Sequence, residues 1–489
     1  MLLKDIVKNI KCELLQGSFE IEISDIAYDS RRVKPGSLFV CREGMVSDGH
    51  QYIQNALNAG ACAILVQKDL PRVEGITYIK YENARYALAS MSAEFFGNAA
   101  DKMDITGITG TKGKTTTAYM LKNIYKMAEI EVGLIGTIQN MIGEKSLYTQ
   151  NTTPESYDLQ LIFAKMLDSG IGTCVMEASS QGLYLERVAC VEFDVGVFTN
   201  LSQDHIGPRE HSSMEDYANQ KAKLFKQCKK GLFNIDNKYA EHLMKDATCE
   251  KYTFGIEKKD DVLNKPDFFA KNINRIKGGT EFDFESSCGT GKVKTNMQGS
   301  FSVYNILAAM GAALLSGKVT LEQAIKGVEE IKVPGRAEPV ETNGDYSILI
   351  DFAHNPESFV SILTLVREYA EGRIVLLFGC GGDKERPREL MGEIAGKYAD
   401  YSIITSDNPR TEEPMSIMLD IEKGIKGTDG KYIMIEDRKE AIRYAILNAQ
   451  PKDTIVLAGK GHETYQIFKD RTIHFDEREI VKEILEEIK

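Results

Sequence analysis

Gly110-Thr111-Lys112-Gly113-Lys114-Thr115-Thr116 concentrates more chemistry than any other stretch of the chain. Glycines let backbone N–H groups close around phosphate oxygens, and the N-terminus of a following helix adds partial positive charge. Lys114 is placed to reach β- and γ-phosphates, and the Thr115 hydroxyl to ligate Mg²⁺. The strict pattern GxxxxGK[ST] asks for glycine at position 108, where this chain has Ile108, with Gly107 and Gly110 nearby. A glycine-rich turn without a ligand is the alternative. The strand–loop–helix setting favours ATP, with Gly110, Thr111, Lys112, Gly113, Lys114, Thr115 and Thr116 as its contacts.

That setting is written into the flanks. Met103-Asp104-Ile105-Thr106 leads in as a strand, and the spacing from Lys114 to Ala128 predicts a helix with Met120, Ile124 and Met127 on one face. Strand patterns at Thr173 to Met176 and Val195 to Thr199 alternate with helix patterns, the mark of a parallel sheet wrapped by helices. Upstream, Leu38 to Cys41 and Ala61 to Val66 read as strands, and Asn83 to Phe96 as a helix. The polar tract from Glu250 to Lys292 reads as short exposed strands and loops, followed by a helix from Val303 to Leu315. Val333-Pro334-Gly335 opens a linker. Beyond it, Ser347 to Ile350, Ile374 to Phe378, Tyr401 to Thr405, Tyr432 to Ile435 and Thr454 to Leu457 read as the buried strands of a second α/β unit.

The chain has 489 residues, a formal charge of -12, 43% hydrophobic and 27% charged residues, and a pI near 5.3. This composition excludes disordered and fibrous classes. An acidic chain also makes a poor general binder of nucleic acid or anionic membrane, so a polyanionic substrate needs a local cluster of cations. The nine cysteines are scattered and form no CxxC pair, which points away from disulfides and zinc and towards a reducing compartment. The first fifteen residues lack the apolar core of a signal peptide, and no apolar run approaches the ~20 residues needed to span a bilayer. A cytoplasmic protein with no membrane insertion and no nucleic-acid partner is expected.

Six further blocks follow in order: Asn151-Thr152-Thr153-Pro154, Glu177-Ala178-Ser179-Ser180, Thr199 to His205, Tyr217 with Lys221, Asp351-Phe352-Ala353-His354-Asn355-Pro356 and Gly459-Lys460-Gly461-His462-Glu463. Together with the phosphate loop they resemble the Mur ligases, ATP-dependent enzymes that add amino acids to the peptidoglycan precursor. The resemblance runs from Asp29-Ser30-Arg31 to Phe475-Asp476-Glu477-Arg478. Within the family, Asp407-Asn408-Pro409-Arg410 points to members that add meso-diaminopimelate to UDP-N-acetylmuramoyl-L-alanyl-D-glutamate.

The resemblance implies an α/β fold of three domains: a UDP-substrate domain over 1–101, a central ATP-binding domain over 102–333 and an amino-acid domain over 334–489, closing together to keep water from an acyl phosphate. It implies Glu177, His205 and Lys221 beside Thr115 as Mg²⁺ ligands, with Lys221 carbamylated, and Lys114, Glu177, His205 and Lys221 as the catalytic set. Ser30, Asn151, Thr152, Thr153, Ser179 and Arg187 match positions that hold the UDP-sugar-peptide. Asn305, Arg336, Asp351 and His354 match nucleotide contacts. Lys384, Asp407, Asn408, Pro409, Arg410, Gly459 and Glu463 match the amino-acid pocket, where Arg410 would clamp a distal carboxylate and Asp407 and Asn408 supply acceptors. A monomer is expected.

Four positions depart from the family pattern. Lys112 stands for an asparagine, Gln181 for a histidine, Ile206-Gly207-Pro208 lacks an aspartate, and Lys384 replaces an arginine in a loop one residue shorter than usual. They bear on which amino acid is added more than on the reaction. A ligase adding lysine or another amino acid, a folylpolyglutamate-type ligase and a nucleotide-binding protein without catalysis remain the alternatives.

Overall fold

The computed structural model of the chain describes every residue except 45–46, 204–205, 208–210, 258–264, 277, 384–386 and 489. His205 and Lys384 therefore lie outside the described residues. Helices and mostly parallel strands alternate throughout, and three main sheets carry the α/β fold.

In the first sheet the order is Glu13–Gln16, Thr77–Lys80, Ala63–Val66, Ser37–Val40, Asp25–Ala27, parallel except for the Glu13–Gln16 edge. Alternation of side chains divides its core in two. Leu38, Val40, Leu65 and Ile79 face the helix Ala84–Phe95 through Leu88 and Met91, while Phe39, Ile64, Val66 and Tyr78 fill the opposite side. Asn83 accepts from the Tyr86 N–H and so starts that helix.

The second sheet has eleven strands. At its centre Asp104–Thr109 lies between Thr173–Glu177 and Phe193–Phe198, with Cys228–Asn234 and Gly133–Ile135 next outward, all parallel. The chain leaves Asp104–Thr109 towards one edge and Phe193–Phe198 towards the other. Loops at the carboxyl ends of two such neighbours frame a crevice, the usual ligand position in an open α/β sheet.

The tract read as short exposed strands and loops forms, among the described residues, four strands of seven to nine residues with buried side chains. Glu250–Ile256, Phe268–Ile276, Gly279–Ser286 and Gly289–Thr295 extend the central sheet to its edge. Phe254, Phe268, Phe282 and Phe284 are buried there. The outermost strand turns Val293 and Thr295 inward and leaves Lys292 and Lys294 exposed. The helix expected from Val303 begins at Ser300.

The third sheet runs Glu338–Val340, Ser347–Asp351, Thr454–Ala458, Ile374–Phe378, Tyr401–Ile404, Tyr432–Met434, antiparallel only at the first pair. Apolar layers cover both faces, Leu376 and Val456 belonging to one and Leu377 and Ile455 to the other.

Two compact units divide the chain: Met1–Ile273 with Phe282–Lys294 and Tyr304–Glu329, and Asn274–Glu281 with Thr295–Val303 and Glu330–Lys489. Inside the first, Glu155 joins the first two sheets by accepting from Arg42 at 2.7 Å and pairing with Arg187 at 3.0 Å. Among the described residues no helix is long and apolar enough to cross a membrane.

Candidate active site

The phosphate loop sits at the crevice. Thr111 N–H donates to the Asn200 carbonyl at 2.8 Å, Lys112 N–H to Asn200 Oδ1 at 3.0 Å, and Thr199 Oγ1 to the Lys112 carbonyl at 2.7 Å. The loops following Asp104–Thr109 and Phe193–Phe198 are thus stitched together. Gly110 has φ 149°, and a Cβ there would fall 2.0 Å from Thr199 Oγ1, so only glycine allows the approach. Gly113 starts the helix Lys114–Met127, in which Thr115 and Thr116 are buried; Asn305 packs against Gly113 from the helix Ser300–Leu315.

Two lysines converge on this loop. Lys114 Nζ donates to the carbonyls of Gly110 at 2.8 Å and Thr111 at 2.9 Å. Lys221 Nζ, on the helix Met214–Ala222, also donates to the Gly110 carbonyl, at 2.9 Å, and lies 4.5 Å from the Tyr217 ring centre. Lys221 is 1% exposed, whereas Lys223 is exposed.

Glu177, at the end of the strand Thr173–Glu177, is 1% exposed. Its Oε1 accepts from Thr115 Oγ1 at 3.0 Å and from the Thr137 N–H at 2.9 Å, and its Oε2 from Thr137 Oγ1 at 3.0 Å. Thr137 also bonds Thr152 at 3.1 Å, linking the carboxylate to the Asn151-Thr152-Thr153 block. Sequence reasoning missed Thr137; its signal was a Gly-Thr pair directly after a short apolar strand. A buried carboxylate and a threonine hydroxyl form a hard, oxygen-only donor set suited to Mg²⁺.

Around that block, Thr153 Oγ1 donates to the Glu177 carbonyl at 2.8 Å and lies 3.0 Å from Ser179 Oγ, and Ser179 caps the helix Ser180–Tyr184. Arg187 Nη1 reaches the Thr153 carbonyl at 3.0 Å, while its buried Nε has no partner among the described residues. Ser30 opens a short helix capped by Asp29, and Arg32 at its end pairs with Asp158 at 2.7 Å. The structure therefore gathers Thr152, Thr153, Ser179 and Arg187 about Glu177, and holds Ser30 on a separate loop tied to the helix Ser156–Asp168.

In the second compact unit, loops at the carboxyl ends of four strands enclose a cavity of about 140 Å³, lined among others by His354, Asp407, Asn408, Arg410, Gly459 and Glu463. Gly459 has φ 115°, and a Cβ there would lie 2.6 Å from Asp407 Oδ2. Arg410 is half-buried at the wall, and its guanidinium has no partner among the described residues. Glu463 Oε2 accepts from Asn408 Nδ2 at 2.8 Å and lies 3.3 Å from Lys460 Nζ, leaving Oε1 without a partner among the described residues. The acceptor expected of Asn408 is already filled: its Oδ1 takes Lys460 Nζ at 3.2 Å and the Ile467 N–H at 3.0 Å.

Beside the cavity, Asp351 accepts from the N–H groups of Ala337 at 2.7 Å and Ala353 at 2.8 Å. The Arg336 guanidinium lies 4.9 Å from the Phe352 ring centre, and His354 and His462 each pack 4.7 Å from that ring. Burial pushes the His462 imidazole down to about 4, helped by the nearby Arg336 and Arg478, so it is neutral at pH 7.

A Mur ligase family, catalytic domain model matches residues 22–96, the Mur ligase middle domain 108–313, and the glutamate ligase domain of Mur ligases 335–461. The chain is 46% identical over its full length, and 99% of the relative's, to UDP-N-acetylmuramoyl-L-alanyl-D-glutamate--2,6-diaminopimelate ligase of Caldanaerobacter subterraneus subsp. tengcongensis. It is 45% identical over the full length of both to the ligase 1 of that name from Clostridium acetobutylicum. A solved structure of a ligase with the same name superposes with a TM-score of 0.70 at 27% identity, over 100% of this chain and 99% of that one. With matching models on all three sheets, and a crevice and cavity built from the blocks that first suggested the kinship, the chain belongs to the Mur ligase family.

Proposed function

We propose that this ATP-dependent ligase adds meso-2,6-diaminopimelate to UDP-N-acetylmuramoyl-L-alanyl-D-glutamate in peptidoglycan precursor synthesis. The observation that carries the reading is Arg410, whose guanidinium has no partner among the described residues, in a cavity wall shared with Asp407 and with a Glu463 Oε1 that likewise has none there. Such a wall complements an end bearing both a carboxylate and an ammonium. Lysine would leave the guanidinium unpaired and desolvated, which is a strong basis for rejection.

In the reaction the γ-phosphoryl group of ATP passes to an oxygen of the D-glutamate side-chain carboxylate, giving an acyl phosphate and ADP. The amine then attacks the acyl carbon, loses a proton, and phosphate departs. Lys114 supplies a cation where negative charge gathers, and the loop N–H groups hold the phosphates. Thr115, Glu177, His205 and a carbamylated Lys221 would hold Mg²⁺, which when bound neutralises phosphate charge. Gly110, Thr111, Lys112, Gly113, Thr116, Asn305, Arg336, Asp351 and His354 serve the nucleotide, and Ser30, Asn151, Thr152, Thr153, Ser179 and Arg187 the UDP-linked acceptor. Asp407, Asn408, Pro409, Arg410, Gly459, Glu463 and Lys384 serve the amino acid.

The proposed domains are 1–101, 102–333 and 334–489, acting in the cytoplasm as a monomer. The test is mass spectrometry of products formed from ATP, the UDP-linked dipeptide and a panel of amino acids. A diaminopimelate adduct is expected, and a preferred lysine adduct would overturn the substrate assignment.

A further inference from the structure

We propose that Lys460 is a positioning residue that sets amino-acid selectivity by fixing Asn408 and Glu463 and by balancing the charge of the pocket; the inference rests on the reading of that pocket above. Lys460 is fully buried, although burying an ammonium is costly unless it is paired. Its partners are Asn408 Oδ1 at 3.2 Å and Glu463 Oε2 at 3.3 Å, with the Tyr465 and Phe475 ring centres at 5.8 and 6.0 Å.

The geometry leaves Asn408 one orientation. Its Oδ1 receives both the ammonium and the Ile467 N–H, so flipping the amide would turn its NH₂ against two donors. Nδ2 is thereby committed to Glu463 Oε2 at 2.8 Å. Glu463 is held by one oxygen while the other stays open to a ligand ammonium.

Charge follows from the same arrangement. Asp407 and Glu463 in the wall are negative, and Arg410 is positive. Among the described residues of this set, Lys460 beside Glu463 makes the cations equal in number to the carboxylates, which suits a distal end carrying one carboxylate and one ammonium. Without Lys460 these described groups carry one more negative than positive charge, which favours an end bearing an ammonium alone, as in lysine.

The test compares diaminopimelate with lysine as acceptor amine for the full-length unmutated enzyme, Lys460→Met and Lys460→Arg. For Lys460→Met we expect the ratio of kcat/KM for diaminopimelate to that for lysine to fall at least tenfold, driven by KM for diaminopimelate. KM for ATP and for the UDP-linked acceptor should stay within twofold, and Lys460→Arg should keep most of the ratio. A merely structural lysine would lower all activities together and leave the ratio unmoved, which would overturn the proposal. If Lys460→Met does not fold, Lys460→Gln replaces it with the same expectation. Preference of the unmutated enzyme for lysine would overturn both this inference and the substrate assignment, whereas preference for diaminopimelate with an unmoved ratio in the variant would overturn the inference alone.

Discussion

The ammonium groups of Lys114 and Lys221 donate to one oxygen, the carbonyl of Gly110, at 2.8 and 2.9 Å. Two cations on a single acceptor repel each other, and capture of carbon dioxide by Lys221 would turn that repulsion into attraction. Lys221→Ala should be nearly inactive, while Lys223→Ala, on an exposed side chain, should be mild. Intact-protein mass spectrometry in bicarbonate should show one carbon dioxide adduct in the unmutated chain and none in Lys221→Ala. Inactive Lys223→Ala with active Lys221→Ala would reverse the assignment.

On the proposed assignment, Lys114→Ala removes a cation that meets the transferring phosphoryl group and should cut turnover by about 10²–10³ or more. The side chain bonds the loop carbonyls of Gly110 and Thr111 rather than packing into an apolar core, so the fold should survive. Near-normal turnover in a folded variant would remove the phosphate loop from the chemistry.

Thr137 offers a test of the carboxylate it holds. Thr137→Val keeps the backbone donor to Glu177 and deletes the hydroxyl bond to Oε2. Loss of an outer partner of a metal ligand typically costs 10–100-fold in metal affinity, so the Mg²⁺ concentration for half-maximal activity should rise by roughly tenfold or more. A titration indistinguishable from that of the unmutated enzyme would show that Glu177 does not depend on Thr137.

Arg410→Ala should raise KM for meso-diaminopimelate roughly a hundredfold, since a charge-assisted bidentate contact is worth on the order of 2–5 kcal/mol. KM for ATP should barely change. Lysine should gain relative to diaminopimelate, because the unpaired guanidinium is gone.

How far the sequence carried these conclusions varies by element. Strands such as Ile374–Phe378 are buried on both faces, and their continuous apolar runs announced them. Glu281-Phe282-Asp283-Phe284-Glu285 announced a half-buried strand by strict alternation, but the charged composition around it pointed to strands that were short and exposed. Composition averages over both faces of a strand, whereas burial acts on one. In the candidate site, Lys114 and Thr115 could be named from the sequence because phosphate binding demands glycine, lysine and hydroxyl at fixed spacing. Thr137 and Lys460 could not, because their contacts are with Glu177, Asn408 and Glu463, partners distant in the chain and joined only by folding.

His462 gives the fold a pH signature. Its pKa lies near 4 in the folded chain, below the ~6.5 of an exposed histidine, so the unfolded chain binds more protons between those values. Stability tied to His462 is complete above about pH 6.5 and declines as pH falls towards 4, by about 3 kcal/mol at most. Urea unfolding at pH 7.5 and pH 5 should show a smaller loss for His462→Gln than for the unmutated chain. An equal loss in both would show that other groups govern the acid limb.

The outermost strand of the central sheet, Gly289–Thr295, leaves a row of backbone donors and acceptors that a neighbouring molecule's strand would otherwise extend. Lys292 and Lys294 alternate along that margin with the inward Val293 and Thr295. A second copy pairing there would have to bring like charges together and strip them of water. Exposed lysines at an open sheet margin raise the cost of such growth, so the same charges that keep this strand out of the core also disfavour its extension.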